Sequence, residues 1–395
     1  MKNLHRNIHK LYAFSFLQKT LFPMAIITLF WKDQIGLSLT QILLLQSIFS
    51  LATVVLEYPS GYVSDRLGYR FALNIASFLG IAGWGMYTVA DSFTEVLFAE
   101  ILLGISLSFI SGSDSALLYE TLKAEGKEHL YTQVEGRMNG FAQGGEALGA
   151  IFAGVLYATA PLLPFFLQVG VWIAALAITR LMVETPRDGS ISVRSHLAEA
   201  LHTVRYAFLD NRHLRNTILF NTVLGIASFF PVWLIQPYMQ QSGVPLAWFG
   251  PAWTGANLTV AVCAMASHRV QSRWGDRAMV ILFLILIAIG YFGLGVIGGV
   301  WGFLFYYLLT SMRGLRGPMM LNHTQTESPS AKRAGILSLQ SLSFRLFFAC
   351  TGPFVGKLAD RVGVMQTFHL LLYAFVLTLP PLAILFLRNS PAGKK

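Results

Sequence analysis

The stretch Gly61–Arg70, GYVSDRLGYR, sets one acid and two arginines between two apolar runs, Leu39–Val63 and Phe71–Val89. Each run is long enough to cross a bilayer, which takes roughly 20 mostly apolar residues. Charges confined to so short a link either fix orientation or belong to a mechanism.

The rest of the chain repeats this design. Of 395 residues 54% are apolar and 12% charged, and the mean hydropathy is +0.57, values that fit a polytopic membrane protein. The 30 Phe, 35 Gly and 15 Pro suit close helix packing and locally broken helices in lipid. The net charge of +10 sits in links between apolar runs, so it signals topology and not nucleic-acid binding. Cys263 and Cys350 lie far apart in apolar runs and read as packing residues, with no metal site or disulfide framework. The basic start MKNLHRNIHK precedes a run without a small-residue cleavage site, so the first span is expected to be retained.

The pattern predicts an all-α membrane protein with six spans, a polar linker and six more. The first six are expected at Leu11–Trp31, Leu39–Val63, Phe71–Val89, Phe93–Tyr119, Arg137–Tyr157 and Leu162–Val183. The second six are expected at Thr217–Tyr238, Leu246–Ser267, Met279–Ile297, Trp301–Leu321, Gly335–Ala359 and Gln366–Leu387. The divisions are an N-terminal half (1–183), a linker (184–215) and a C-terminal half (216–395). Within the linker, Leu197, Leu201, Val204 and Phe208 fall at helical spacing and predict a short amphipathic surface helix. Alternate links collect most Lys and Arg, while the opposite side carries only Lys32, Lys357 and Arg361. That asymmetry puts both termini and the linker in the cytoplasm.

Gly61, Asp65, Arg66, Gly68 and Arg70 reproduce the G-x-x-x-D-R-x-G-x-R pattern between spans two and three of the major facilitator superfamily, which this chain resembles along its whole length. A degenerate copy, HRVQSRWGDR from His268, occupies the equivalent link of the second half, and GKLADRVGV from Gly356 is a third echo. The second span ends in Glu57, Pro59, Ser60 and Gly61, as in a bacterial branch of the superfamily. The resemblance implies two pseudo-symmetric six-helix halves, a monomer in the lipid of a bacterial inner membrane, and alternating access. It also implies that Gly61 permits close helix approach. Asp65 would latch the cytoplasmic face by accepting hydrogen bonds from the N-terminus of span eleven. Arg66 and Arg70 would hold that acid or bind Glu120, or, for Arg70, simply obey the positive-inside rule.

The fifth span, with Gly136, Gly145, Gly149, Ala150, Ala153 and Gly154, approaches a glycine pattern of drug/proton antiporters, although Ala150 stands where that pattern has proline. Packing by small residues explains the same spacing. The arginine those antiporters carry before Gly104 is replaced here by Glu100.

Ionisable groups inside a bilayer need a partner or a watery cavity, because each costs about 2.5 to 3.5 kcal/mol at mid-span on insertion scales. Lys19, Glu57, Glu100, Asp114, Glu146, Arg313, Arg316 and Arg345 fall inside expected spans. Glu57 and Arg345 are expected to pair across the halves, either as a switch or as a permanent bridge. Glu146, Glu57 and Asp114 are the candidate proton carriers. Lys19, Gln18, Asp114, Asn221, Asn257 and Arg313 are the candidate cavity residues, with Asp114 alternatively pairing with Arg137. Tyr12, Gln236 and Trp253 join them by position, and His369 reads as a packing histidine.

No metal spacing, nucleophile elbow or Walker loop occurs in the sequence, so neither catalysis nor a cofactor is expected. The leading expectation is proton-linked secondary transport of a small solute, with export favoured by the fifth-span pattern. Uptake of a small anionic metabolite or chelate, favoured by Lys19, Arg313 and Arg345, is the alternative. A transporter-like sensor is a third reading.

Overall fold

The computed structural model describes residues 4–185, 202–329 and 332–389, and among them it contains helices and no strand. In the first part of the chain these are α1 (Arg6–Lys19), α2 (Ile27–Leu29), α3 (Leu39–Leu67), α4 (Tyr69–Tyr87), α5 (Phe93–Ile110), α6 (Ser113–Ala124), α7 (Tyr131–Ile151), α8 (Ala153–Thr159) and α9 (Leu163–Leu181). Then follow α10 (Arg212–Gln241), α11 (Phe249–Val296), α12 (Tyr306–Glu327), α13 (Arg333–Val362) and α14 (Val364–Asn389).

Among the described residues six stretches are long and apolar enough to cross a membrane by length and composition: Leu39–Glu57, Phe93–Ala124, Leu163–Leu181, Arg212–Gln241, Leu246–Val296 and Val364–Arg388. The last but one holds two expected spans, with Gly275 breaking the helix at φ 76° and ψ 171°. Twelve crossings therefore remain an expectation.

The helices start where local chemistry satisfies free backbone N–H groups. Ser38 caps α3 reciprocally: its Oγ accepts from the Gln41 N–H (3.2 Å) and Gln41 Oε1 accepts from the Ser38 N–H (3.0 Å). Asn211 Oδ1 accepts from the Leu214 N–H at the start of α10 (3.0 Å).

Several expected spans are interrupted. The first parts between α1 and α2, around Pro23, which cannot donate a backbone bond. The freed N–H of Phe22 is taken by Gln168 Oε1 (3.0 Å), and Thr20 Oγ1 donates to the Phe16 carbonyl (2.8 Å). The fourth parts between α5 and α6 at Gly112, φ 84°. The fifth kinks at Phe152 between α7 and α8, and the tenth begins with a 3-10 turn, Gly302–Phe305. Such breaks survive in a membrane only where neighbouring side chains take up the released polar groups.

The chain divides into two compact units, Met1–Ser190 with Pro245–Thr254 and Ile191–Val244 with Gly255–Lys395. In the first, α7 lies directly on the break of the first span. A Cβ at Gly145 would stand 2.1 Å from the Phe16 carbonyl oxygen, so only glycine fits. A Cβ at Gly149 would stand 2.5 Å from the Leu21 backbone nitrogen.

In the second unit α10 is buried along most of its length and runs against α12, α13 and α14. Residues 202–210 are helical, and Phe208 packs with Tyr206 onto a cluster of Ala207, Leu214, Ile218, Ile336 and Leu339. That part of the expected surface helix is thus docked on protein, while Val204 stays exposed. Leu197 and Leu201 lie outside the described residues.

Candidate functional site

The GYVSDRLGYR link is one residue wide. Gly68, at φ 122°, is alone between α3 and α4, and its left-handed backbone turns the chain at once. The first N–H groups of α4 are then capped from afar: Glu184 Oε1 accepts from the Tyr69 N–H and Glu184 Oε2 from the Arg70 N–H, both at 3.1 Å. A carboxylate at a helix N-terminus also meets the favourable end of its dipole. The Arg70 guanidinium donates to the Arg180 carbonyl (2.8 Å) and not to Glu120. Arg66 lies over the Tyr62 ring (4.9 Å), and exposed Asp65 accepts from Tyr69 Oη (3.3 Å). A Cβ at Gly61 would meet open space within 4 Å, so the close approach expected of it is not used in this conformation.

The equivalent link of the second half keeps the glycine and moves the acid. Gly275 again has positive φ, and the next residue, Asp276, accepts from Gln271 Nε2 (2.9 Å) and pairs with His323 Nε2 (3.1 Å). Close to them, Glu327 Oε2 accepts from Thr217 Oγ1 (3.1 Å), and burial pushes the Glu327 carboxyl above its ordinary range.

In the first unit Asp114 sits in the first turn of α6, just past the Gly112 break. Its Oδ1 accepts from the Ser115 N–H (2.7 Å), and Ser115 Oγ donates to Glu135 Oε1 (3.0 Å). Glu135 Oε2 is buried without a hydrogen-bond partner. The charges of Glu135 and Lys19 both act on Asp114. Arg137 is exposed and makes no ion pair with Asp114, because it lies on the α7 face away from the buried stripe Val134, Met138 and Ala142. Gln18 is half-buried on α1, Glu146 half-buried on α7, and Glu57 exposed on α3.

In the second unit Arg313 and Arg316 lie nearly one turn apart on α12, and both reach α10. Arg313 donates through Nε to Ser228 Oγ (3.3 Å) and through its terminal nitrogen to the Ser228 carbonyl. Arg316 donates to the Asn221 carbonyl (3.0 Å) and to Asn221 Oδ1, while its buried Nε has no hydrogen-bond partner. Among the described residues no carboxylate forms an ion pair with either arginine. Asn221, expected in the cavity, is therefore engaged by Arg316. The pairing escapes the sequence because the two are 95 residues apart.

Asn257 is half-buried on α11 and Arg345 half-buried on α13. His369, half-buried on α14, stacks on the exposed Tyr373 one turn on and shares a hydrogen bond with its hydroxyl (3.2 Å). Tyr12 stacks on Phe141, and Gln236 and Trp253 are buried. The buried trio of Glu100, Tyr87 and Gln46 was legible only as a lone acid in span four: Tyr87 Oη donates to Glu100 Oε1, and Gln46 Nε2 donates to Oε2 at 2.9 Å.

Comparison with known proteins agrees with this architecture. A Bacillus subtilis protein named uncharacterized MFS-type transporter YxaM is 27% identical over 177 residues, 44% of this chain and 41% of that one. The probable L-galactonate transporter of Escherichia coli is 34% identical over 74 residues, 19% of this chain and 16% of that one. The matched segments thus span less than half of these relatives' lengths. Among solved structures, nucleoside transporter NupG superposes with TM-score 0.77 at 13% identity, covering 97% of this chain and 98% of that one. A bacterial homolog of the lysosomal transporter Spinster gives 0.72 at 14%, covering 99% and 98%. At such identities the likeness concerns the fold. The model of the Major Facilitator Superfamily matches residues 11–349, and the chain accordingly belongs to that family of membrane transporters.

Proposed function

We propose that this transporter carries a small anionic solute across a bacterial cytoplasmic membrane, by alternating access between two six-span halves with both termini in the cytoplasm. The observation that carries the reading is the pair Arg313 and Arg316. Two half-buried guanidinium groups on α12, bonded to neutral acceptors on α10 and unmatched by a carboxylate of the described residues, leave formal positive charge for a ligand to neutralise. Planar N–H forks suit carboxylate or phosphate.

The export reading rested on the small residues of span five, and the close fit of Gly145 and Gly149 against Phe16 and Leu21 explains those by packing. Among the relatives, one is named for a sugar acid, which fits the same charge logic. Asp65 serves as the cytoplasmic latch, and Glu57 with Arg345 as an ion pair made in one state and loosened in the other. Asp114, Glu57 and Glu146 remain the carriers expected from sequence for a coupled proton.

The test uses purified protein in proteoliposomes with an internal pH dye, challenged with L-galactonate and a pool of other small organic acids, and separately with lipophilic cations. Acids should trigger flux, and Arg313→Gln or Arg316→Gln should reduce it about 10-fold or more, since a hydrogen bond to a charged group contributes about 1.5 to 3 kcal/mol. Flux triggered by the cations and untouched by both variants would overturn the anion reading.

A further inference from the structure

A second charge in the apolar interior is left unmatched, and it is of opposite sign. Glu100 is 4% exposed, on α5 well inside the apolar stretch Phe93–Ala124. Its two oxygens are each met by one neutral donor from a different helix: Tyr87 Oη, at the end of α4, and Gln46 Nε2, on α3. Tyr87 is itself fully buried, wedged among Trp31, Trp84 and Phe165. No cation pairs with Glu100 among the described residues. The charged residues of the two helices packed on it, Glu57, Asp65 and Arg66 on α3 and Arg70 on α4, lie towards the far ends of those helices. On its own helix, Glu95 is half-buried in the first turn, where it accepts from the Asp91 N–H (2.8 Å).

We propose that Glu100 is a proton-binding site, at which a proton from solvent converts a doubly held carboxylate into a doubly held carboxylic acid without disturbing α3, α4 or α5. The chemistry of the two partners carries this assignment. Tyr87 donates to Oε1 in either state, because the carbonyl oxygen of the acid is still an acceptor. Gln46 is bifunctional. Its Nε2 donates to the carboxylate, and the same amide turned over presents Oε1 to accept from the O–H that protonation places on Oε2. Both carboxyl oxygens of Glu100 and the Tyr87 hydroxyl are thus bonded before and after the proton arrives, and a buried carboxyl satisfied in both states can switch without unfolding. A lysine or arginine in place of Gln46 would have fixed the anion permanently, as an ion pair does.

This site is independent of the anion reading, and its test needs no solute. Difference infrared spectra of the protein in liposomes, recorded between alkaline and acidic buffer, should contain a band for a buried, hydrogen-bonded carboxylic acid. Glu100→Gln should abolish that band while the remaining carboxyl signals persist. Tyr87→Phe and Gln46→Leu each remove one donor to the anion and should move the band's midpoint up by about one pH unit, which also serves if Glu100→Gln folds poorly. A band that survives Glu100→Gln, or a midpoint unmoved by both donor variants, overturns the proposal. Neither result bears on Arg313 and Arg316.

Discussion

The two units bury charge of opposite sign and support it differently. In the first unit the acids Asp114 and Glu135 gather beside an interrupted helix, at the Gly112 break, with Lys19 at the end of α1 where the first span also parts. In the second, Arg313 and Arg316 ride on continuous α12 and are braced against continuous α10. An acid at a break has backbone N–H groups and small polar side chains to hand. An arginine on an intact helix must reach across to a neighbour's carbonyl, and its long side chain allows that. The contrast teaches that the first unit spends regular structure to hold its charges, and the second spends side-chain length.

If the first unit depends on its broken frame, the largest effect should come from the glycine that seats it. Gly145→Val pushes methyl groups into the Phe16 carbonyl and should destabilise the protein by about 1–3 kcal/mol or more, measured as thermal unfolding in detergent. Gly61→Ala, by contrast, meets open space and should leave melting unchanged or slightly raised while slowing transport, if another conformation closes on it. Equal melting losses in both variants would break the comparison.

A middle-sized effect should distinguish the two links. Glu184→Ala frees two N–H groups at the start of α4 and should cost about 1 kcal/mol. The second half has its acid inside the link, at Asp276, so loss there should instead loosen His323. Hydrogen exchange at the first turn of α4 reads the first effect.

An effect of similar size, confined to one side of a titration, is pH-dependent. Burial raises the Glu327 carboxyl, so its ionisation opposes folding, and stability falls as pH climbs from the unfolded value, about 4.3, through the higher folded one. The Thr217 hydroxyl relieves that penalty in the ionised form. Thr217→Val should therefore lose about 1 kcal/mol above the folded value and little below it, seen as a melting gap that closes in acid.

Local signals in the sequence located what local physics decides. The apolar runs became helices, and Gly68 and Gly275 turned the chain where the repeated motif placed them. Pro23 and the Ser111–Gly112 pair were visible as well, yet hydropathy averages across such residues, so the breaks in spans one and four were not expected. What stayed hidden depends on distance along the chain. Glu184 finds the start of α4 from 115 residues away, and Gln168 meets Phe22 across 146. Pairing with Arg137 at the start of span five was one of two readings of Asp114, and the α7 periodicity turns Arg137 outward.

Leu67, Gly68 and Tyr69 are consecutive, so α3 and α4 share a tether of a single residue. One residue reaches at most about 3.6 Å, which leaves no slack for either helix to travel without the other. The joint works like a knee: it bends on two dihedral angles and refuses to stretch. A probe pair attached on α3 and α4 near this joint would report rotation and almost no separation, and an epitope inserted at Gly68 would uncouple the two helices outright.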